Sequence, residues 1–256
     1  MTLHRFYIPP AHWNPAGLVL DEAESRHATE VLRLRVGDPV AVFNGEGLLA
    51  EARISRLGKR EVALDVGEVQ RTAPPAARLL LAQAIPKGKN MDLVLQKATE
   101  LGVSGIIPLI SERTVVRLSA DEGADKQEKW QRIVIEACKQ CGQNFVPAVH
   151  QPVGVETFLA SLPVVDLPLI AAIGPGALPL KSILADWRLS PPGTPPAAAT
   201  RPSSALILIG PEGDFTPAEL DRAKMAGCRP LTLGPIILRT ETAAIYTLSV
   251  LVHELF

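Results

Sequence analysis

Along the first 70 residues, short apolar runs alternate with turn signals. Residues 40–43, 48–56 and 61–66 read as strands, separated by Asn44-Gly45-Glu46-Gly47 and Leu57-Gly58-Lys59-Arg60, both suited to hairpin turns. Asp21 and Glu24 form an Asp-x-x-Glu cap signal, which predicts a helix through about residue 34 before the turn at Gly37-Asp38. The expectation is a small β-rich module of residues 1–72.

Thr72-Ala73-Pro74-Pro75 breaks that pattern, because consecutive prolines disfavour helix and cannot donate within a central strand. Beyond it the apolar runs lengthen and alternate with amphipathic stretches. Strands are predicted at 79–85, 106–110, 167–173, 205–209 and 230–233. Helices are predicted at about 89–101, closed by Gly102, and 126–141, with Trp130, Ile133, Ala137 and Cys141 on one face and Gly142 as cap. Near-continuous apolar strands between such helices indicate an α/β domain, residues 73–256, with a mostly parallel sheet covered on both faces. Residues 190–204 carry five prolines and no apolar period, so they read as a Pro/Ala-rich surface loop inserted in that domain.

With 256 residues, 47% of them hydrophobic, the chain can support two modest cores. No apolar run approaches the roughly 18 residues of a membrane span and the start lacks signal-peptide character, so the expected location is the cytoplasm, away from membranes. Cys138, Cys141 and Cys228 fit a reducing compartment. The i, i+3 pair Cys138/Cys141 has no second pair or nearby histidine to complete a zinc site, so no metal is expected and a structural role is favoured. The formal net charge of −1 gives no support to nucleic-acid binding, although residues 26–60 hold seven basic side chains against four acidic ones.

Two loops carry the candidate chemistry. Residues 205–209 lead into Gly210-Pro211-Glu212-Gly213, and Thr216-Pro217-Ala218-Glu219 then supplies a capping box with proline at the first helical position. This is strand, glycine turn and helix, the layout that lets a ligand approach main-chain amides at a strand's carboxyl end. Residues 233–243 again leave a strand and enter a helix, with Ile236-Ile237-Leu238 offering the flat apolar walls that suit an adenine ring. An ordinary buried loop is the other reading. Neither loop has a dinucleotide fingerprint or a P-loop, so a phosphate-free, nucleoside-like ligand is favoured.

Several separated motifs resemble those of the RsmE family of 16S ribosomal RNA uridine-N3 methyltransferases, of the SPOUT class. They are Arg5-Phe6-Tyr7, His27 with 31–38 (Val-Leu-Arg-Leu-Arg-Val-Gly-Asp), and 96–103 (Gln-Lys-Ala-Thr-Glu-Leu-Gly-Val). Next come 108–113 (Pro-Leu-Ile-Ser-Glu-Arg), 209–213 (Ile-Gly-Pro-Glu-Gly) and 238–243 (Leu-Arg-Thr-Glu-Thr-Ala). The resemblance implies an N-terminal PUA-like β-barrel that binds RNA, a C-terminal α/β domain with a deep trefoil knot, a homodimer, and 16S rRNA or the small ribosomal subunit as partner. It also implies S-adenosylmethionine as cofactor, held bent by the two loops, with Ile209, Gly210, Glu212, Gly213, Leu233, Gly234, Ile237, Leu238, Thr240 and Ala243 as the binding candidates.

Methylating the imide N3 of uridine requires loss of its proton and in-line attack on a methyl group, so positioning and electrostatics should dominate. Arg239 is the candidate to stabilise charge developing on the uracil, and Glu241 the candidate to orient it; a structural ion pair or helix cap is the alternative. Arg5, His27, Arg33, Arg35 and Lys97 are the candidates for RNA contact. The chain departs from the usual family pattern at Gln143 and Phe145, where arginines are common, at Ile236, where a basic residue is common, and at Asp214, where a glycine is common. A paralogue methylating another base, a non-enzymatic RNA-binding assembly factor, and a cytosolic α/β enzyme using another nucleotide are the competing functions.

Overall fold

The computed structural model describes residues 3–58, 60–116, 118–174, 176–188 and 202–255. They form two compact units, residues 1–74 with 135–146, and residues 75–134 with 147–256.

The first unit contains β1 (His4–Tyr7), β2 (Leu18–Leu20), α1 (Glu22–Arg26), β3 (Pro39–Phe43), β4 (Leu48–Leu57) and β5 (Val62–Arg71). They build a five-stranded sheet in the order β1-β3-β4-β5-β2. β1 runs parallel to β3 and the other pairs are antiparallel. The two-residue period of β4 puts Ala50, Ala52 and Ile54 inside while Glu51, Arg53 and Ser55 face water. Those three join Phe6, Leu18, Val42 and Val62 in one core.

The helix predicted to residue 34 is shorter. Asp21 caps it by accepting from the Glu24 amide at 2.8 Å, but α1 passes into a π-helical segment, His27–Val31, with Leu32 N–H bonded to the His27 carbonyl. Arg33 then adopts φ 55°, the left-handed region, which ends any helix. Glu24 does not cap back. Its buried carboxylate instead meets Lys139, at the end of the long helix described below, at 2.9 and 3.1 Å. Burial pushes the Glu24 carboxyl up to about 7, even beside that ammonium. For Lys139 burial works downward, but Glu24 and Glu136 outweigh it and hold the amine above its ordinary value.

Residues 142–146 are stitched into this unit. Gly47 N–H donates to the Asn144 carbonyl and Val146 N–H to the Gly45 carbonyl, while Asn144 Nδ2 donates to Thr72 Oγ1 at 2.7 Å. The Phe145 ring covers Gly47 so closely that a Cβ there would lie 2.5 Å from it, and Gly47 sits at φ 92°, so only glycine fits. Phe145 thus serves this turn as packing.

The second unit alternates strands and helices: β6 (Arg78–Ala84), α2 (Asn90–Glu100), β7 (Gly105–Ile110), α3 (Ala120–Cys141, of which residues 135–141 count with the first unit), β8 (Ala148–Val149), β9 (Val153–Gly154), α4 (Val155–Ala160), β10 (Leu167–Ala171), β11 (Leu178–Pro179), α5 (Leu180–Arg188), β12 (Ser204–Ile209), α6 (Pro217–Met225), β13 (Arg229–Thr232) and α7 (Thr240–Leu255). The sheet order is β11-β13-β10-β12-β6-β7-β8, with β9 also on β7, and every pairing is parallel. β12 is buried on both faces from Ala205 to Ile209, which explains why it reads as an unbroken apolar run.

α3 starts at Ala120, not 126, because Ser119 and Glu122 form a capping pair: Glu122 accepts from both the amide and the hydroxyl of Ser119. Its buried face is Trp130, Val134, Ala137 and Cys138, an i, i+4 ridge, while Ile133 is half-buried and Cys141 exposed. Burial and the neighbouring Cys141 push the Cys138 thiol up to about 12, so it behaves as a small apolar side chain.

The predicted strand 167–173 stops at Ala171, freeing 172–174 for a loop. Of the proline-rich stretch 190–204, residues 190–201 lie outside the described residues. Ser203 and Ser204 do not belong to a loose loop: Asp166 Oδ2 accepts from both their amides, and Ser204 opens β12. Among the described residues no helix is long and apolar enough to cross a membrane.

Candidate active site

The adjacent parallel strands β13, β10 and β12 end on one edge of the sheet, and the loops leaving them enclose a cavity of about 590 Å³. Carboxyl ends of parallel strands are where ligand crevices form in open α/β sheets. Residues 171–174, 209–212 and 232–241 supply most of the wall, joined by Asn90, Asp214 and Ala243.

The first loop is shaped by close approach. A Cβ on Gly210 would lie 3.1 Å from Asp214 Oδ1 and 3.2 Å from the Phe215 amide, so any larger residue would push on the chain where it doubles back. Asp214 holds φ 61°, a conformation aspartate tolerates better than most residues, and its Oδ1 accepts from Phe215 N–H at 2.8 Å. Aspartate at 214 therefore sustains this left-handed turn. Glu212 accepts from the Lys87 amide at 2.9 Å, and Arg113 donates to the Gly213 carbonyl at 2.7 Å. The expected Thr216–Glu219 capping box is present with Pro217 at the first helical position.

The second loop is not a buried one. Ile236 and Ile237 are 76% and 77% exposed, with Leu238 partly covered, so the apolar walls stand open along the cavity. Thr240, which begins α7, is buried; its hydroxyl donates to the Gly210 carbonyl at 2.7 Å and accepts from Gln83 Nε2 at 2.9 Å.

Arg239 and Glu241 both reach the cavity. Arg239 is exposed and its guanidinium has no hydrogen bond or ion pair among the described residues, so the structural ion pair with Glu241 does not form. Glu241 instead accepts from Asn90 Nδ2 at 3.3 Å. A free guanidinium, a carboxylate and an amide on apolar walls form a site able to bind a flat heterocycle and steady charge on it.

A family model for an RNA methyltransferase domain matches residues 73–252, and one for an RNA methyltransferase PUA domain matches 20–66. A ribosomal RNA small subunit methyltransferase E from Synechocystis is 31% identical over 94% of this chain and 74% of its own length. The chain belongs to the ribosomal RNA small subunit methyltransferase E family. The Bacillus subtilis member is 29% identical over 90% of this chain and 88% of its own. Among solved structures, the Neisseria gonorrhoeae methyltransferase E bound to S-adenosyl methionine superposes with a TM-score of 0.82 at 33% identity, covering 97% of this chain and 96% of that one. A Legionella pneumophila methyltransferase structure with bound cofactor SAM gives 0.84 at 34% identity, over 98% and 97%. The fold of this family is thus an α/β domain with a mostly parallel sheet and a PUA-like N-terminal domain.

Of the residues expected to serve this family's cofactor, Ile209, Gly210, Glu212, Leu233, Gly234, Ile237, Leu238, Thr240 and Ala243 line the cavity, and Gly213 stands just outside it. Reading the sequence missed Asn90 and residues 171–174. Asn90 opens α2, whose pattern marks only its packed face, and 171–173 fall within the strand predicted at 167–173.

The RNA candidates fall into two groups. Arg33 and Arg35 are exposed in the first unit. Arg5 is engaged inside that unit, donating to Asn144 Oδ1 at 2.6 Å and to the Gln143 carbonyl at 3.2 Å, with its guanidinium 4.7 Å from the centre of the Phe43 ring. His27 is half-buried edge-on to Phe6, and burial with the nearby Lys139 holds its pKa below the ordinary value. Lys97, in the second unit, pairs with Glu100 at 2.8 Å.

Proposed function

We propose that the chain methylates N3 of a specific uridine in 16S ribosomal RNA, using S-adenosylmethionine. The observation that carries this reading is the cavity itself, which gathers nine of the ten expected cofactor residues beside an unpaired Arg239. Its 590 Å³ falls within the roughly 300–1,000 Å³ of small-molecule sites, and Ile209, Leu233, Ile237 and Leu238 supply apolar walls. The residues therefore fit the cofactor.

When bound, S-adenosylmethionine supplies a methyl group on a sulfonium centre. The protein's part is to hold the uracil in line and favour its deprotonated imide. Arg239, with donors uncommitted, stabilises negative charge on the uracil oxygens, and Glu241, steadied by Asn90, orients the ring. The α/β domain carries a deep trefoil knot that includes the loops after β12 and β13, a reading supported by their convergence on one cavity.

Residues 1–72 serve as the RNA-binding PUA-like barrel and 73–256 as the methyltransferase domain with its 190–204 insertion. Arg5, His27, Arg33 and Arg35 meet the RNA backbone, with Arg5 also holding Gln143 and Asn144, and Lys97 adds a contact from the methyltransferase domain. The working form is a cytoplasmic homodimer, which accounts for the open apolar side chains Ile173, Ile236 and Ile237 at the cavity mouth.

Calorimetry with S-adenosylmethionine, followed by single-turnover methylation of 16S RNA and of small subunits, tests the proposal. Arg239→Ala is expected to bind the cofactor normally and to lose on the order of 10²–10³-fold in rate. Normal turnover would remove Arg239 from the mechanism. Wild-type protein that binds no cofactor would leave an RNA-binding assembly factor as the better reading.

A further inference from the structure

Gln83 is out of character with its surroundings. It lies in β6, in register with Ile209 of β12 and Pro108 of β7, and has no solvent exposure. Every other residue of the run from Leu79 to Ala84 is apolar and buried. Its Nε2 donates to the Ala84 carbonyl and to Thr240 Oγ1, both at 2.9 Å, whereas its Oε1 has no partner among the described residues. An orphaned acceptor in a core works against stability, so an apolar residue of the same shape would serve a purely structural purpose better.

The direction of the chain of bonds is fixed by chemistry. An amide nitrogen can only donate, so Thr240 Oγ1 accepts from Gln83 and has one hydrogen left, which goes to the Gly210 carbonyl at 2.7 Å. Thr240 and Gly210 belong to different cavity loops, and Arg239 and Glu241 flank Thr240 in sequence. Its one hydrogen is committed to Gly210, so the hydroxyl has none to donate to a cofactor.

We infer that Thr240, oriented by Gln83, is a positioning residue that ties the two cofactor loops together and sets where Arg239 and Glu241 stand. This rests on the methyltransferase reading above. It gives Thr240 a role beyond its place in the cavity wall.

Four variants of the full chain test it, with cofactor Kd from calorimetry, single-turnover rate and Tm measured on each. Thr240→Val keeps the shape and removes both bonds; about a ten-fold rise in Kd and a fall of at least about ten-fold in rate are expected. Thr240→Ser restores the hydroxyl and should return both to within about three-fold of wild type. Gln83→Met should move both in the same direction as Thr240→Val. Thr247→Val is the control: Thr247 is equally buried on α7 but bonds only to the Ala243 carbonyl, so it should lower Tm and leave Kd and rate alone.

Kd and rate unchanged in folded Thr240→Val would overturn the inference, as would a Thr240→Ser variant as impaired as Thr240→Val. If Thr240→Val does not fold, an unaffected Gln83→Met overturns it. Wild-type protein that binds no cofactor would sink the methyltransferase reading and this inference together, whereas binding by wild type with unaffected variants sinks the inference alone.

Discussion

Replacing Lys139 with methionine removes a cation from a place where water cannot substitute for it. The Lys139 and Glu24 side chains are only 8% and 10% exposed, and the ammonium lies 2.9 and 3.1 Å from the two carboxylate oxygens. Breaking one half of such a pair costs about 3–5 kcal/mol, because a buried charge is left uncompensated. The variant has one escape, which is to protonate Glu24. That carboxyl already sits at about 7 against an ordinary 4.5, raised mainly by burial, and loss of Lys139 raises it further.

A carboxyl whose folded pKa is raised contributes stability that is present below about 4.5 and is lost as pH rises through the folded value. At pH 5 Glu24 of the variant folds protonated, and the penalty shrinks to the lost hydrogen bonds, about 1–2 kcal/mol. At pH 8 the full penalty of about 3–5 kcal/mol should appear, since every tenfold weakening of the acid on folding corresponds to about 1.4 kcal/mol. Urea unfolding of wild type and Lys139→Met at the two pH values measures the difference, and adding Glu24→Gln should recover much of the loss at pH 8. A penalty below about 1 kcal/mol, or one equal at both pH values, would mean that the pair is solvated and the reasoning wrong.

Three further outcomes concern the cavity loops. Gly210→Ala should destabilise by about 1–3 kcal/mol through overpacking against Asp214 and Phe215, and weaken cofactor binding in calorimetry by displacing the loop. Asp214→Gly should unfold within about 1 kcal/mol of wild type, whereas Asp214→Val, forced to φ 61°, should lose about 1–2 kcal/mol by thermal melting. Asn90→Ala should leave cofactor Kd unchanged and slow single-turnover methylation, since its bond to Glu241 steadies a group that acts on the RNA base.

The α/β half of the fold was legible because its signals are local. Parallel strands buried on both faces read as apolar runs, and the Thr216–Glu219 box and Gly102 mark helix ends in the sequence itself. The Ser119–Glu122 box is equally local, and it starts α3 six residues before the predicted 126. The π segment after α1 was not legible: it depends on Arg33 turning left-handed, a conformation nothing in its side chain announces.

At the site, the two glycine loops could be read as a ligand-binding pair, but not what joins them. Gln83 and Thr240 stand 157 positions apart, and their bond exists only because β6 lies beside β12 in the sheet. Asn90 and Glu241 meet across a similar gap of 151. Spacing rules reach a turn or two of helix, so contacts of this kind come from topology. Arg5 shows the reverse case. A motif arginine that sequence reading assigns to RNA places its Nη2 on the Gln143 carbonyl and Asn144 Oδ1 of its own unit, contacts that no spacing announces.

Primer extension on 16S RNA from cells with and without this gene tests the central claim most directly, since a methyl group on N3 of uridine removes the Watson–Crick edge the polymerase must read. A strong stop one nucleotide before a single uridine should be present with the gene, absent without it, and restored by the wild-type chain but not by Arg239→Ala. A stop that persists in cells lacking the gene would contradict the proposed function.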